Sequence, residues 1–170
     1  FARLVLDTPI AAFAGDRILI RHLRDSRLLG AGRVLDIPSA RRRQRPGERE
    51  RRLFLLSGLD PVTALTAYLG DTGGWVDCHA WFRAHGWGRA DAEQAVKRLN
   101  LTVLDTGRLQ AVLHPNDWEL LAGEILSKLD RVHVERQDLP GLGLEKLRRS
   151  ISFRMPGPVF NAAIDRLERQ

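Results

Sequence analysis

The densest chemistry in this sequence is cationic. From Ser39 to Arg52 the chain reads SARRRQRPGERERR, which sets Arg41, Arg42, Arg43, Arg45, Arg49, Arg51 and Arg52 against only Glu48 and Glu50. A guanidinium presents a planar fork of donors that matches phosphate oxygens two at a time. Several of them together displace condensed counterions from a nucleic-acid backbone. Two smaller groups follow, Lys97 with Arg98 and then Arg148, Arg149 and Arg154. Contacts of this kind position a phosphate backbone and carry little sequence preference. The stretch 39–52 also lacks apolar periodicity, so it reads equally as a solvated hinge between domains. Over the whole chain 27 Lys and Arg face 21 Asp and Glu, a net charge of +6. Lys97, Lys128 and Lys146 are the only lysines. An excess of Arg, Ala, Gly and Leu also follows from the base composition of a coding genome, so the charge permits a polyanionic partner without naming it.

Covalent and metal chemistry is not laid out in this way. No GxxxxGK[ST] loop is present and no Gly precedes a Lys, which excludes GTP binding by that device. GxSxG, HExxH and CxxC are also absent, and His22, His79, His85, His114 and His133 fall on separate predicted elements without ligand spacing. Cys78 is the sole cysteine, so neither an intrachain disulfide nor a metal site of several cysteines can form, and it reads as a small core residue. Asp117 and Glu119 suit the first turn of a helix, where the dipole favours acids. Trp81 and Trp118 stand in helical register with apolar residues and read as core anchors, whereas Trp87, between Gly86 and Gly88, is open to solvent or to packing. We expect no catalytic residue, metal or cofactor in this chain. With no apolar run long enough for a bilayer and no signal-peptide pattern at Phe1 to Ile10, it is expected in the cytoplasm, as a monomer.

The elements that must position these cations change character along the chain. Leu4–Leu6, Arg17–Arg21 and Arg33–Leu35 are short β-rich runs separated by turn formers around Pro9, Gly15-Asp16 and Gly30–Gly32. So small a sheet buries too little surface to stand alone, and together with a first residue Phe1 it reads as the tail of a β-barrel on an excised piece. From Leu59 the pattern turns helical: Asp60 is an N-cap, Pro61 sits at the first helical position, and Val62, Leu65 and Leu69 share a face. A short strand at Trp75-Val76, a helix capped by Asp77 and a third helix from Arg89 to Asn100 follow. A hairpin of 101–104 and 108–113 then closes on Asp105-Thr106-Gly107. This is the order of a winged helix, with Arg89, Glu93, Lys97 and Arg98 on the solvent side of its third helix. Glu93 and Lys97 are spaced as an i, i+4 pair. The order restarts at Pro115 with a long helix through Trp118, Leu121, Ile125 and Leu129. A turn at Pro140–Gly143, a short helix 145–151 and a helix 158–169 complete it before any second wing. The fold class is therefore α+β: barrel strands over 1–38, a hinge over 39–52, one winged helix over 53–114 and a second, its wing truncated, over 115–170.

The segment TPIAAFAGDRILIRHLRDSRLLGAGRVLD, residues 8–36, resembles the end of the third domain of selenocysteine-specific elongation factors of the SelB type. The likeness rests on Pro9, Gly15-Asp16-Arg17, Arg21 and the ending Gly30-x-Gly32-x-Val34-Leu35-Asp36. The arginine-rich hinge, Trp118 and its helix, His133, Pro140-Gly141-Leu142-Gly143 and Leu147-Arg148 are similar to the same family's first two winged-helix modules. The resemblance implies a parent that binds GTP with magnesium, delivers selenocysteyl-tRNA to the ribosome and recognises an mRNA hairpin beside a recoded UGA. Its GTPase and second domains would precede Phe1 and its hairpin readers would follow Gln170, which makes this chain a connector with weak electrostatic RNA contact. No position matches the family's nucleotide-binding motifs, so no catalytic residue carries over. Two other readings stay open: a winged-helix DNA-binding transcription regulator, and a protein-interaction scaffold.

Overall fold

The computed structural model describes residues 1–35, 46–57, 60–72, 74–135 and 141–169. At the N-terminal end, β1 (Arg17–Arg21) pairs antiparallel with β2 (Leu28–Arg33), with a register irregularity after Ile20. Gly15, at φ +99°, makes the turn into β1, and its N–H donates to the Val34 carbonyl at 2.7 Å. Two expectations are corrected here. Gly30–Gly32 is not a turn but the middle of β2, where Gly32 pairs with Ile18 and accepts its side chain overhead. The reversal lies earlier, at residues 22–27, where Ser26 takes φ +54° and Asp25 accepts from the Arg27 N–H. Leu4–Leu6 is not a strand, because no neighbouring strand among the described residues pairs with it.

Helix α1 (Pro46–Leu56) begins inside the arginine-rich stretch, so residues 46–52 of the expected hinge are helical. Proline at a first helical position and a run of Glu and Arg favour that outcome. Helix α2 (Pro61–Thr72) starts where the sequence places it, with the Asp60 carboxylate accepting from the N–H groups of Val62 and Thr63 and from the Thr63 hydroxyl. Strand β3 (Trp75–Asp77) leads into α3 (Cys78–Ala84), whose N-cap Asp77 accepts from the Ala80 N–H at 3.0 Å. Then come α4 (Arg89–Arg98), β4 (Thr102–Asp105) and β5 (Gln110–Leu113), with Gly107 at φ +76° in the hairpin turn. The first winged helix thus has a sheet ordered β3-β5-β4.

That sheet has two buried faces. Its register aligns Val76, Val112 and Val103 in one row, and these pack with Leu65, Leu69, Phe82, Ala92, Ala95 and Val96 of α2, α3 and α4. The alternating rows, Trp75 with Leu113 and Ala111 with Leu104, point the other way. There they meet the second module: α5 (Pro115–Glu135), α6 (Leu144–Ser150) and α7 (Gly157–Leu167), through Trp118, Leu121, Ile125, Leu147, Val159 and Phe160. Leu104, Ala111, Val112 and Leu113 are all 1 % exposed or less. Among the described residues the second module has no strand of its own and rests on the first module's wing.

Polar contacts fasten the join. The Trp75 indole N–H donates to the Arg154 carbonyl at 3.2 Å across the two modules. The Glu124 carboxylate on α5 accepts from both the N–H and the hydroxyl of Ser152, fixing the loop between α6 and α7. The N-terminal segment also touches the first module: the Ala14 N–H donates to the Ala84 carbonyl at 2.7 Å, and the Phe13 ring lies against Gly86.

Candidate nucleic-acid interface

The cationic side chains singled out in the sequence fall into three places. Arg41, Arg42, Arg43 and Arg45 lie outside the described residues. Arg49, Arg51 and Arg52 belong to α1, and Arg51 is exposed. Lys97 and Arg98 occupy the exposed last turn of α4, where cations also complement the negative end of the helix dipole. The expected Glu93–Lys97 pair is not the one formed. Glu93 Oε1 takes the Arg89 Nε–H at 2.8 Å, one turn earlier, and this contact holds the Glu93 carboxyl below its ordinary value.

The third group is on and after α6. Arg148 is largely committed to the protein: its Nε and Nη2 donate to the two oxygens of Glu145 at 2.8 and 2.6 Å, and its Nη1 donates to the Met155 carbonyl at 2.8 Å. Its role in the fold is therefore to tie α6 to the loop that follows. Arg149 shares the same carboxylate through Nε at 2.8 Å but keeps 74 % of its side chain exposed. Hydrogen bonds from Arg148 and then Arg149 lower the Glu145 carboxyl to about 2. Arg154 is exposed, and its backbone is held by Trp75. Lys146, absent from the sequence-based candidates, adds a further exposed cation on α6. Its position one residue after Glu145 in a short helix was the available sign.

The structure does not bring these groups together. Helix α4 covers one face of the shared sheet and α6 the opposite face, so Lys97 and Arg98 stand apart from Arg149 and Arg154. The wing hairpin, which in an isolated winged helix is free to lie along a groove, is covered on both sides, with Asp105, Gly107 and Arg108 at its tip the exposed positions. The tryptophans are anchors: Trp118 is buried beneath the Arg166 guanidinium 5.2 Å away, the Trp81 indole N–H donates to the Pro61 carbonyl, and Trp87 is half-buried and stacked on Phe82. Among the described residues no three carboxylate, histidine or thiol ligands converge, and the sequence carries no phosphate loop. No helix among the described residues is long and apolar enough to cross a membrane.

Comparison with known families separates the two ends of the chain. Residues 1–41 match the family model for the selenocysteine-specific elongation factor β-barrel domain. Residues 126–170 match that for the elongation factor SelB winged helix. Neither is a catalytic domain. No curated protein matches the sequence.

Proposed function

Because the chain belongs to the SelB family of translation elongation factors, we propose that it is the rigid connector of a cytoplasmic, selenocysteine-specific factor. In that role it joins a body that binds GTP, magnesium and selenocysteyl-tRNA to modules that read an mRNA hairpin at a recoded UGA. The chain itself performs no catalysis. Its work is to hold two binding ends at a fixed span, so that engagement of one raises the effective concentration of the other. The observation that carries this is the sheet shared by both winged helices: the wing of one is the core wall of the next, which leaves no free joint between them. Helix α5, 21 residues and roughly 30 Å long, lies along this body through Trp118, Leu121 and Ile125.

RNA contact is electrostatic and weak in this proposal, made by the arginines of 41–52, by Lys97 and Arg98, and by Arg149 and Arg154 with Lys146. Arg148 contributes by holding α6 in place. The test is fluorescence anisotropy of the monomeric chain with selenocysteine tRNA, with the mRNA hairpin and with a DNA duplex of equal length. Affinities should be similar and should fall steeply as salt rises from about 50 to 200 mM. Tight binding of the hairpin that survives high salt would overturn the connector role, sequence-specific protection of the duplex would point to a DNA regulator, and no binding of any nucleic acid would leave a protein scaffold.

A further inference from the structure

A cleft of about 300 Å³ opens between α3 and α4, away from the cationic clusters described above. One wall is aromatic: Phe82, 1 % exposed, stacks on Trp87 with ring centroids 5.2 Å apart and planes 25° apart. The rim is cationic. Arg83, at the end of α3, is exposed, and no carboxylate pairs with it among the described residues. Arg89, the first residue of α4, gives its Nε–H to Glu93 and keeps both terminal nitrogens of its fork unengaged. The remaining wall is His79, whose Nε2 is buried without a hydrogen-bond partner, the sole such side-chain atom among the described residues.

These features fit one kind of ligand. An aromatic wall accepts the π-face of any base, and arginine forks accept phosphate oxygens. The volume lies at the small end of ligand clefts, sized for one nucleotide and not for a duplex. We propose that this cleft holds a single unpaired nucleotide of RNA, its base against the accessible part of the Trp87 ring, which Phe82 backs from beneath, and its phosphate between Arg83 and Arg89. The site deepens the RNA-connector reading and rests on it for the choice of polymer. It would place an unstacked nucleotide against the first winged helix, where charge alone gives no fixed register.

Tryptophan fluorescence tests this on the full 170-residue chain, with Trp87→Phe to isolate the contribution of Trp87. The probes are a single-stranded ribo-octamer, adenosine 5′-monophosphate, adenosine and inorganic phosphate. The octamer should quench Trp87, the monophosphate should do so more weakly, and adenosine or phosphate alone should bind worse than the monophosphate. Arg83→Ala should weaken the octamer about tenfold, as for one lost charge-assisted hydrogen bond, while Arg108→Ala, at the hairpin tip, should not. Equal losses in both variants, or octamer binding without Trp87 quenching, would sink the cleft and leave the electrostatic connector standing. Filling of the cleft by the monophosphate with no binding of the octamer would also overturn the proposal, in favour of a free nucleotide.

Discussion

Phe160→Ala is the sharpest probe of the shared sheet. Phe160 sits on α7, is fully buried, and belongs wholly to the second module's core with Leu104, Leu113 and Leu147. Truncating a buried Phe costs about 3–5 kcal/mol, through lost transfer energy and the cavity left behind. For a cooperative unit near 100 residues each kcal/mol moves Tm by roughly 4 °C or more, so a loss of about 4 kcal/mol predicts a fall of about 15 °C. Two independent modules would confine that loss to α5, α6 and α7. With the sheet as a common wall, unfolding of the second module strips one face of β4 and β5, and the first module loses the support of Leu104, Ala111 and Leu113. Amide exchange is the assay. Helix α2, anchored by Leu65 and Leu69 on the far face, should lose protection to the same degree as α7, and the melt should remain a single transition. A biphasic melt, or unchanged exchange in α2, would refute the idea of one cooperative body.

Further outcomes follow from single contacts. Trp75→Phe removes both the N–H that reaches the Arg154 carbonyl and part of the indole packed on the second module's core, and should cost about 2 kcal/mol in chemical denaturation. Burial first, and then the charges of Asp77 and Glu93, push the Cys78 thiol from 9.0 up to about 11. Alkylation by iodoacetamide at pH 8 should therefore be at least about a hundredfold slower in the native chain than in urea, with burial of the sulfur slowing it further. A raised folded-state value keeps its stabilisation in full below pH 9 and loses it between 9 and 11, and Cys78→Ala should flatten that part of the stability curve. The depressed Glu145 carboxyl has the opposite sign: its contribution is present above 4.5 and is lost as pH falls toward 2. Exchange of the α6 amides should show that loss over the same range, and Glu145→Gln should abolish the pH dependence.

Much of the fold was legible because its signals are local. Asp60-Pro61, Asp77 and Asp105-Thr106-Gly107 act within three or four residues of themselves, and each begins or turns an element where the sequence places it. The misplaced turn at Gly30–Gly32 shows the limit: glycine serves a reversal and a strand equally, and only the pairing with β1 decides between them. The shared sheet left one trace that went unused. Ala111-Val112-Leu113 is apolar at three successive positions, where a wing with one wet face would alternate. The candidate interface was less legible still. Counting arginines gives no sign that Arg148 is spoken for, although Glu145 three residues earlier is within helical reach of it. The cleft between α3 and α4 draws His79, Arg83, Trp87 and Arg89 from two helices and the turn between them, and no spacing rule marks that combination.

The stretch between the two family matches is the part that sets the geometry. The matched winged helix, residues 126–170, supplies α6, α7 and the end of α5, yet its core is closed by Leu104, Ala111 and Leu113 from outside that segment. The matched barrel domain, residues 1–41, meets the first module through Phe13 and Ala14 at the end of α3. In the proposed connector, the described residues between the two matches hold the recognised ends relative to each other. A link of this kind raises effective concentration only while its length matches the span, and slack dilutes the gain steeply. Leu113→Ala, at a fully buried position that carries no charge of its own, would loosen the wall that holds the second module. In the proposed connector role its effect would be mainly geometric: a small change in RNA affinity of the isolated chain, and a larger loss wherever both ends must engage together.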